Sequence, residues 1–242
     1  MKRVVLLSAV LLVGCGKKVP EREANVPDAN PPAQPPVKET KQPPAKPKVE
    51  PTKPKVEPTE VTLTPGMEAA KKAHKAGNYR EAVRLYTVEL AAEEAKPAPS
   101  WVQLSYLHIE LGLALDYAGQ YDKTLKHHQK ALAIDLKQLG PDHPHVAGSY
   151  NNIGAVHHKK AEYDKALEYY QKSLAIWLKQ LGPDHPNVAV SYNNIASLYK
   201  AKKDLSKAKE YWEKAYAIFL KKLGPNHPNT KFVKGQLDAV KE

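Results

Sequence analysis

The hexapeptide Leu-Gly-Pro-Asp-His-Pro occupies residues 139–144, returns unchanged at residues 181–186, and returns with Asn in place of Asp at residues 223–228. The copies lie 42 residues apart, and about half of the positions in residues 143–184 are identical in residues 185–226. Self-similarity at one period of this length is the signature of a repeat architecture. The chain is therefore expected to be a stack of similar supersecondary units.

Each unit has the apolar spacing of two helices. Apolar side chains recur at steps of three and four from Val146 through Tyr150 and Ile153, and again from Tyr163 to Leu181. This period is that of an amphipathic helix, and neither run shows the alternation of a strand. The pattern predicts an all-α fold of helical hairpins.

The hexapeptide supplies signals that end one helix and begin the next. Gly140 can take the left-handed conformation that closes a helix, and Pro141 cannot continue one. The residues before the histidines are the candidate N-caps, namely Asp142, Asp184 and Asn226. The three motif histidines are interpreted as parts of these turns, because one histidine every 42 residues gives no metal-binding cluster.

Two earlier units are degenerate but keep the same register. One has helices at Trp101–Ala118 and Tyr121–Leu139, and a shorter one covers Met67–Ala76 and Tyr79–Ala95. Small and bulky residues recur at the same positions, which suits helices that interlock closely. The small series is Ala82, Thr124, Ala166 and Ala208, and the bulky series is Tyr86, His128, Tyr170 and Trp212.

These motifs resemble the 42-residue tetratricopeptide repeats of kinesin light chain. The resemblance rests on Tyr-Asn-Asn-Ile in the first helix (residues 150–153 and 192–195), Tyr-Asp-Lys-Ala-Leu at residues 163–167, and the hexapeptide connector. It covers residues 100–228 well and residues 66–95 more weakly. The resemblance implies a right-handed superhelix of antiparallel hairpins (a solenoid) with a concave groove, and it does not imply motor function.

The N-terminal residues have the pattern of a targeting segment. Lys2 and Arg3 precede an apolar stretch, Val4 to Val13, that is too short to span a bilayer. Leu12-Val13-Gly14-Cys15 resembles a bacterial lipoprotein signal, which implies cleavage before Cys15 and acylation (such as palmitate) of that cysteine. The alternative is an ordinary secretory signal. Gly16 does not resemble an inner-membrane retention signal, so the expected address is the bacterial cell envelope, at the outer membrane where the organism has one.

A proline-rich linker is predicted between the cysteine and the repeats. Residues 46–52, Lys-Pro-Lys-Val-Glu-Pro-Thr, are repeated as residues 53–59. Such composition cannot bury enough apolar surface to fold. The predicted organisation is a signal peptide at residues 1–14, a lipidated cysteine and disordered linker at 15–65, about four hairpins at 66–228, and a capping helix at 229–242.

The composition gives little support to catalysis or to a cofactor. The single cysteine excludes disulfides and cysteine-based zinc sites, and no phosphate-binding loop or nucleophile motif is present. The ten histidines do not predict a metal site, since adjacent histidines on a helix point apart. His128 and His157 are interpreted as packing residues. We therefore expect neither enzyme activity nor a metal or other cofactor.

The candidate functional residues are those of the first helices that do not pack on the second. Paired asparagines are mediocre helix formers, and an amide can hydrogen bond a peptide backbone. The alternative is that these asparagines stabilise the stack. The predicted peptide-groove residues are Asn151, Asn152, His158, Lys159, Asn193, Asn194, Ser197 and Lys200. The second hairpin departs from this pattern, with Ile109 and Glu110 in place of the asparagines.

These features predict a membrane-tethered scaffold that binds a protein or peptide. His158, Lys159 and Lys200 favour an acidic ligand. The rival prediction uses the formal net charge of +11: lysine-rich outer faces would bind an anionic envelope polymer or lipid surface. Nucleic acid is not an expected partner of an exported protein, and the sequence leaves the oligomeric state open.

Overall fold

The computed structural model describes residues 3–4 and 60–240, and residues 60–240 are mostly helical. Helices α1 to α8 pair in chain order as four hairpins, and each second helix also packs on the first helix of the next hairpin. This architecture confirms the predicted all-α stack of hairpins. The helices are α1 Pro65–Lys75, α2 Tyr79–Glu94, α3 Trp101–Tyr117, α4 Tyr121–Leu139, α5 Pro144–Lys159, α6 Tyr163–Leu181, α7 Pro186–Ala201, α8 Leu205–Leu223 and α9 Pro228–Ala239.

The histidine of each connecting motif caps the helix that follows it. The His143 ring Nδ1 accepts a hydrogen bond from the backbone N–H of His145 at 3.1 Å. Burial, followed by the influence of His145, lowers the pKa of His143 to about 4, so its ring stays neutral and can accept. The same bond recurs in the next two turns, from Asn187 to His185 and from Asn229 to His227.

The prediction that Asp142, Asp184 and Asn226 cap these helices is therefore wrong. Each precedes the residue whose extended backbone makes it the N-cap. Asp142 and Asp184 reach the following hairpin instead, where they pair with Lys179 and Lys221 at 2.5 and 2.6 Å. The acidic position of the motif thus ties neighbouring hairpins together.

The glycine of the motif takes a different conformation from the one expected. Gly140 has φ 84° and ψ 167°, and Gly182 and Gly224 repeat these values closely. This region lies outside the left-handed helical well and is open essentially to glycine alone. The glycine therefore redirects the chain after the helix rather than continuing a left-handed turn.

The turn inside each hairpin uses a left-handed residue at one repeat position. Gly77 and Gly119 have φ 76° and 74°, whereas the third and fourth hairpins place Ala161 and Lys203 there, at φ 58° and 63°. After α5 the backbone N–H of Glu162 reaches the carbonyl of His157 at 2.9 Å. This bond gives the short Schellman-type turn that lets α6 fold back on α5.

Large aromatic side chains fill the core between the helices. Trp177, Trp212 and Phe219 belong to one buried cluster formed with residues of α5, α7 and α9. Gly154 permits close approach, since an added Cβ would lie 2.8 Å from the ring of Tyr170. The small and bulky positions that the sequence predicts are all buried, which is what closely packed helices require.

The folded region starts before the predicted end of the linker. Val61 is fully buried. The side-chain amide of Gln103 accepts a hydrogen bond from the N–H of Thr62 at 3.2 Å and donates one to its carbonyl at 2.9 Å. Val61–Thr62 (β2) also pairs antiparallel with Arg3–Val4 (β1). Residues 61–64 therefore pack with the hairpins, whereas the predicted lipidation site Cys15 and most of the predicted linker lie outside the described residues.

Within residues 60–240, no helix has both the length and the apolar character needed to cross a membrane. At the C-terminal end, α9 buries Val233 and Leu237 in the same core as Trp212. The helix predicted after residue 228 is thus present, and it covers the apolar face of α8.

Candidate functional site

The four asparagines predicted as groove residues are buried, and each exposes at most 3 % of its area. The side-chain amide of Asn194 donates to the side-chain carbonyl of Asn151 at 2.8 Å, which links the third and fourth hairpins. The carbonyl of Asn193 accepts from the indole N–H of Trp212 at 3.2 Å. These contacts are those of the structural role that the sequence left open, and ligand contact by the asparagines stays a prediction.

The hydrogen bonding between asparagines of neighbouring hairpins does not continue from the third hairpin to the second, because the sequence differs there. Asn152 holds the position of Asn194, but the residue that would correspond to Asn151 in the preceding hairpin is Ile109. The side-chain oxygen of Asn152 is buried without a hydrogen-bond partner in the described part of the chain. Among residues 60–240, this amide link therefore joins only the third and fourth hairpins.

The other four predicted residues are accessible near the carboxyl ends of the first helices. Lys159 and Lys200 are exposed, and His158 and Ser197 are half-buried. Lys159 Nζ lies 2.5 Å from the carboxylate of Asp116 in α3. Ser197 donates to the backbone carbonyl of its own helix, four residues earlier, at 2.9 Å. The structure thus keeps these residues within reach of a ligand but engages Lys159 with the preceding hairpin.

Lys200 has a different environment from Lys159. Its Nζ donates to the side-chain oxygen of Gln236 in α9 at 2.9 Å and lies 5.7 Å from the ring centroid of Trp212. Both groups are neutral, so no described carboxylate balances the charge of Lys200. Burial, followed by the neighbouring Lys159, lowers the pKa of His158, so this histidine adds no further charge at neutral pH.

An aromatic group that the sequence reasoning missed lies beside Lys159. Tyr117, the last residue of α3, is 48 % exposed; its ring stacks on Tyr79 and meets His74 edge-on, each at a centroid distance of 5.1 Å. The ammonium group of Lys159 lies 5.7 Å from the Tyr117 centroid. We name His74, Tyr79, Asp116, Tyr117 and Lys159 the helix-end cluster.

One signal in the sequence could have identified Tyr117. It stands 42 residues before Lys159 and 84 before Ala201, so an aromatic ring replaces a lysine and an alanine at the same repeat position. An exposed ring at the end of a buried helix offers an apolar surface with a polar edge. The helix-end cluster can therefore stack on an apolar or aromatic group while Lys159 faces a carbonyl or carboxylate.

Histidines of α3 and α4 meet inside the second hairpin. His108 Nδ1 lies 3.1 Å from His127 Nδ1, and burial, with His127 as the next cause, lowers the pKa of His108 to about 4. His128 is buried against Gly112, as predicted for a packing residue. Among residues 60–240, no three or more histidine, cysteine or acidic side chains are grouped as metal ligands.

A buried carboxylate joins three helices at the centre of the second hairpin. Asp135 of α4 accepts hydrogen bonds from Ser105 of α3 at 2.6 Å and from Ser149 of α5 at 3.2 Å. Burial raises the pKa of Asp135, and the two serine hydroxyls oppose this shift. The contacts bind the second hairpin to the third, and no open surface leads to this carboxylate because it is fully buried.

Open crevices of 330 to 410 Å³ lie at the turns inside the first three hairpins. Ion pairs between neighbouring hairpins cross two of them, from Lys160 to Asp122 at 2.7 Å and from Lys202 to Asp164 at 2.8 Å. Their walls are turn residues rather than convergent reactive groups. These crevices therefore belong to the stacking of hairpins.

Comparison with known proteins agrees with this geometry. The tetratricopeptide repeat family model matches residues 103–161 and 145–221. The crystal structure of BtubC (BKLC) from P. vanneervenii superposes with a TM-score of 0.63 at 25% identity, covering 71% of this chain and 68% of that one. No similar sequence is found among curated proteins.

Two further structures have the same fold. A putative kinesin light chain of Podosopora anserina with nearly identical TPR-like repeats has a TM-score of 0.60 at 26% identity and covers 72% of this chain and 83% of that one. The apo form of RapI, at 18% identity, has a TM-score of 0.62 and covers 73% and 61%. Residues 103–221 of this chain are therefore tetratricopeptide repeats, and the fold is similar to that of kinesin light chain-like proteins.

Proposed function

We propose that this protein is a membrane-tethered, non-catalytic scaffold that binds a protein or peptide partner at the helix-end cluster. Tetratricopeptide repeats are a protein-interaction fold, and the exposed ring of Tyr117 is the observation that supports this location. The residue is 48 % exposed although the rings of His74 and Tyr79 contact its own ring. Rings of this kind are typical anchors of protein interfaces.

The chemistry of Tyr117 in α3 and of Lys200 in α7 favours a ligand that carries both an apolar group and an acidic group. Tyr117 would accept the apolar group by stacking. Lys200 would accept the acidic group, because its described contacts are the neutral Gln236 and Trp212. Lys159 contributes less to an acidic preference, since the buried carboxylate of Asp116 already balances it.

The proposal includes a tether at Cys15 and a location in the bacterial envelope. It is supported by the lipoprotein-like residues 12–15 and by the proline-rich composition of residues 17–65. Replacing Cys15→Ser should move the protein from the membrane fraction to the soluble fraction and abolish incorporation of labelled palmitate. Unchanged fractionation of this variant would contradict the tether without bearing on the binding surface.

The binding surface is tested by capture from envelope extract on the immobilised full chain. Tyr117→Ala should lose a partner that the unaltered protein retains at high salt, and Lys200→Ala should weaken retention of the same partner. Val88→Ala is the matched control, since Val88 is 55 % exposed on α2, away from the helix-end cluster. Equal retention by Tyr117→Ala and Val88→Ala would exclude the helix-end cluster as the binding surface.

A further inference from the structure

The lysines of α4 and α6 differ in one respect: those of α6 are paired and those of α4 are not. Lys165, Lys172 and Lys179 of α6 lie 3.2, 2.6 and 2.5 Å from carboxylate oxygens. The lysines of α4 make no ion pair with any residue in the described part of the chain. These four are Lys123, Lys126, Lys130 and Lys137.

The difference follows from three substitutions at corresponding repeat positions. The carboxylates that pair with the lysines of α6 are Glu162, Glu168 and Asp142. Forty-two residues earlier, the chain has Gln120, Lys126 and Ser100 in their places. All three lysines are retained on α4, all three acids are absent, and one acid has become a fourth lysine. The fourth hairpin keeps the acids, as the pair between Lys214 and Glu210 at 2.6 Å shows.

The four unpaired lysines occupy one side of α4. Residues 123, 126, 130 and 137 are exposed, whereas residues 124, 128, 131 and 135 are buried against the neighbouring helices. At 1.5 Å per residue the row is about 21 Å long. The exposed acid of α4, Asp122, is already paired with Lys160. The row is therefore a strip of uncompensated positive charge.

The composition of this side decides between two kinds of anionic partner. A protein interface takes most of its affinity from desolvated aromatic or arginine anchors. The other exposed residues between the lysines are Gln129 and Ala133, which provide no such anchor. A membrane surface rich in anionic lipid needs none, because each lysine near the headgroups contributes separately to binding.

We propose that the outer side of α4 binds the headgroups of anionic phospholipids in a bilayer. This surface is separate from the helix-end cluster, and the proposal does not depend on the partner proposed there. Binding is electrostatic and peripheral, so it weakens as salt rises. It would hold the hairpins against a membrane surface rather than insert them.

The test uses the full chain with Cys15→Ser, so that no acyl chain contributes, and vesicles of phosphatidylcholine with or without phosphatidylglycerol. Sedimentation at low salt should show binding only to vesicles that contain phosphatidylglycerol. Lys126→Glu should weaken binding at least fivefold, since about fivefold is expected for each lysine lost. High salt should abolish it.

The repeat provides matched variants that keep the fold. Lys126→Glu recreates on α4 the Glu–Lys pair found at Glu168 and Lys172 of α6, which supports a helix rather than weakening it. Adding Ser100→Asp and Gln120→Glu to Lys126→Glu gives a triple variant that has all three acids. This triple variant should no longer bind the vesicles. Conversely, Glu168→Lys should strengthen binding, because it removes the carboxylate partner of Lys172 and adds a fourth lysine to α6.

Two results would overturn the proposal. Vesicle binding that is unchanged in the triple variant would show that α4 is not the surface responsible. The second result concerns polyglutamate as a competitor. It would have to bind the parent Cys15→Ser chain, displace that chain from vesicles at equal charge, and be the only one of the two ligands whose binding is lost in the triple variant. The outer side of α4 would then fit an acidic polypeptide instead of a membrane. Circular dichroism of each variant verifies that helicity is retained.

Discussion

The second hairpin (α3 and α4) and the third (α5 and α6) have the same backbone plan and different interiors. Asp135 in the second corresponds to Trp177 in the third, and His128 corresponds to Tyr170. All four side chains are buried. The change is coordinated, because Ser105, which bonds Asp135, becomes Ala147 in the cluster of Trp177. The repeat therefore dictates burial and turn positions, and it leaves the interior chemistry of each hairpin free to vary.

The largest effect on stability is expected at the repeat position that Asp135 and Trp177 share. Trp177→Ala removes a buried indole at the centre of the core and should lower the free energy of unfolding by about 3–5 kcal/mol. Urea unfolding followed by circular dichroism measures this change. A loss below about 1 kcal/mol would mean that the neighbouring helices collapse into the space, and that this position is less important than its burial indicates.

Asp135→Asn is the counterpart in the second hairpin. It keeps an acceptor oxygen for one serine hydroxyl and places an amide N–H, which can donate to the oxygen of the other serine, at the second site. It also removes a buried charge, whose cost is shown by the raised pKa of Asp135. We expect this variant to be more stable than the parent at neutral pH. The difference in stability between Asp135→Asn and the parent should shrink as the pH falls below the raised pKa. In that range the folded parent protonates Asp135, so it no longer buries a charge.

The next largest effect is loss of stability in acid, to which His128 of the second hairpin contributes. Burial, followed by His127 and Lys159, lowers the pKa of His128 to about 3 in the folded state. Below about pH 6.5 the unfolded state binds a proton that the folded state does not, so stability falls as the pH drops from 6.5 towards 3. This histidine should contribute a slope of about 1.4 kcal/mol per pH unit.

His128→Tyr gives the second hairpin the residue of the third. Tyr170 packs against Gly154, and Gly112 provides the same space opposite position 128. Tyrosine stays neutral throughout acid conditions, so the slope between pH 6.5 and 4 should become shallower while that of His108 persists. Urea midpoints measured across this range give the slope directly, and an unchanged slope would mean that His128 is not the acid-sensitive group.

The sequence predicts the repeated features far better than the features that differ between repeats. The helix boundaries follow from glycine, proline and apolar spacing, which act locally, so they could be inferred from any one copy. The burial of Asn151 and Asn194 could not, because it depends on how closely neighbouring first helices approach. The N-cap at His143 was missed because aspartate is the commoner capping residue. Tyr117 was missed because its importance arises from contacts with Tyr79 and His74, more than 30 residues away.

A smaller effect is expected at the link between the third and fourth hairpins. Asn194→Ala leaves the side-chain carbonyl of Asn151 buried without its donor, which should cost about 1–3 kcal/mol. Asn152→Ala is the matched control, since it removes an oxygen that already lacks a partner in the described part of the chain and should cost less. Thermal unfolding of the two variants compares them, and an equal loss would show that packing rather than the hydrogen bond determines the effect.

The smallest effect is expected in the turn between α5 and α6, where the third hairpin has Ala161 and the second has Gly119. Both residues have positive φ, which costs a residue with a Cβ about 1 kcal/mol but costs glycine nothing. Ala161→Gly removes this strain and also frees the unfolded chain, so the expected gain is below about 1 kcal/mol. Gly119→Ala should reverse the sign and give a loss, because nothing lies near its added Cβ and conformation alone decides the outcome. If Ala161→Gly loses stability and Gly119→Ala gains it, the entropy of the unfolded chain dominates at this turn, and alanine is then the better residue despite its strained backbone.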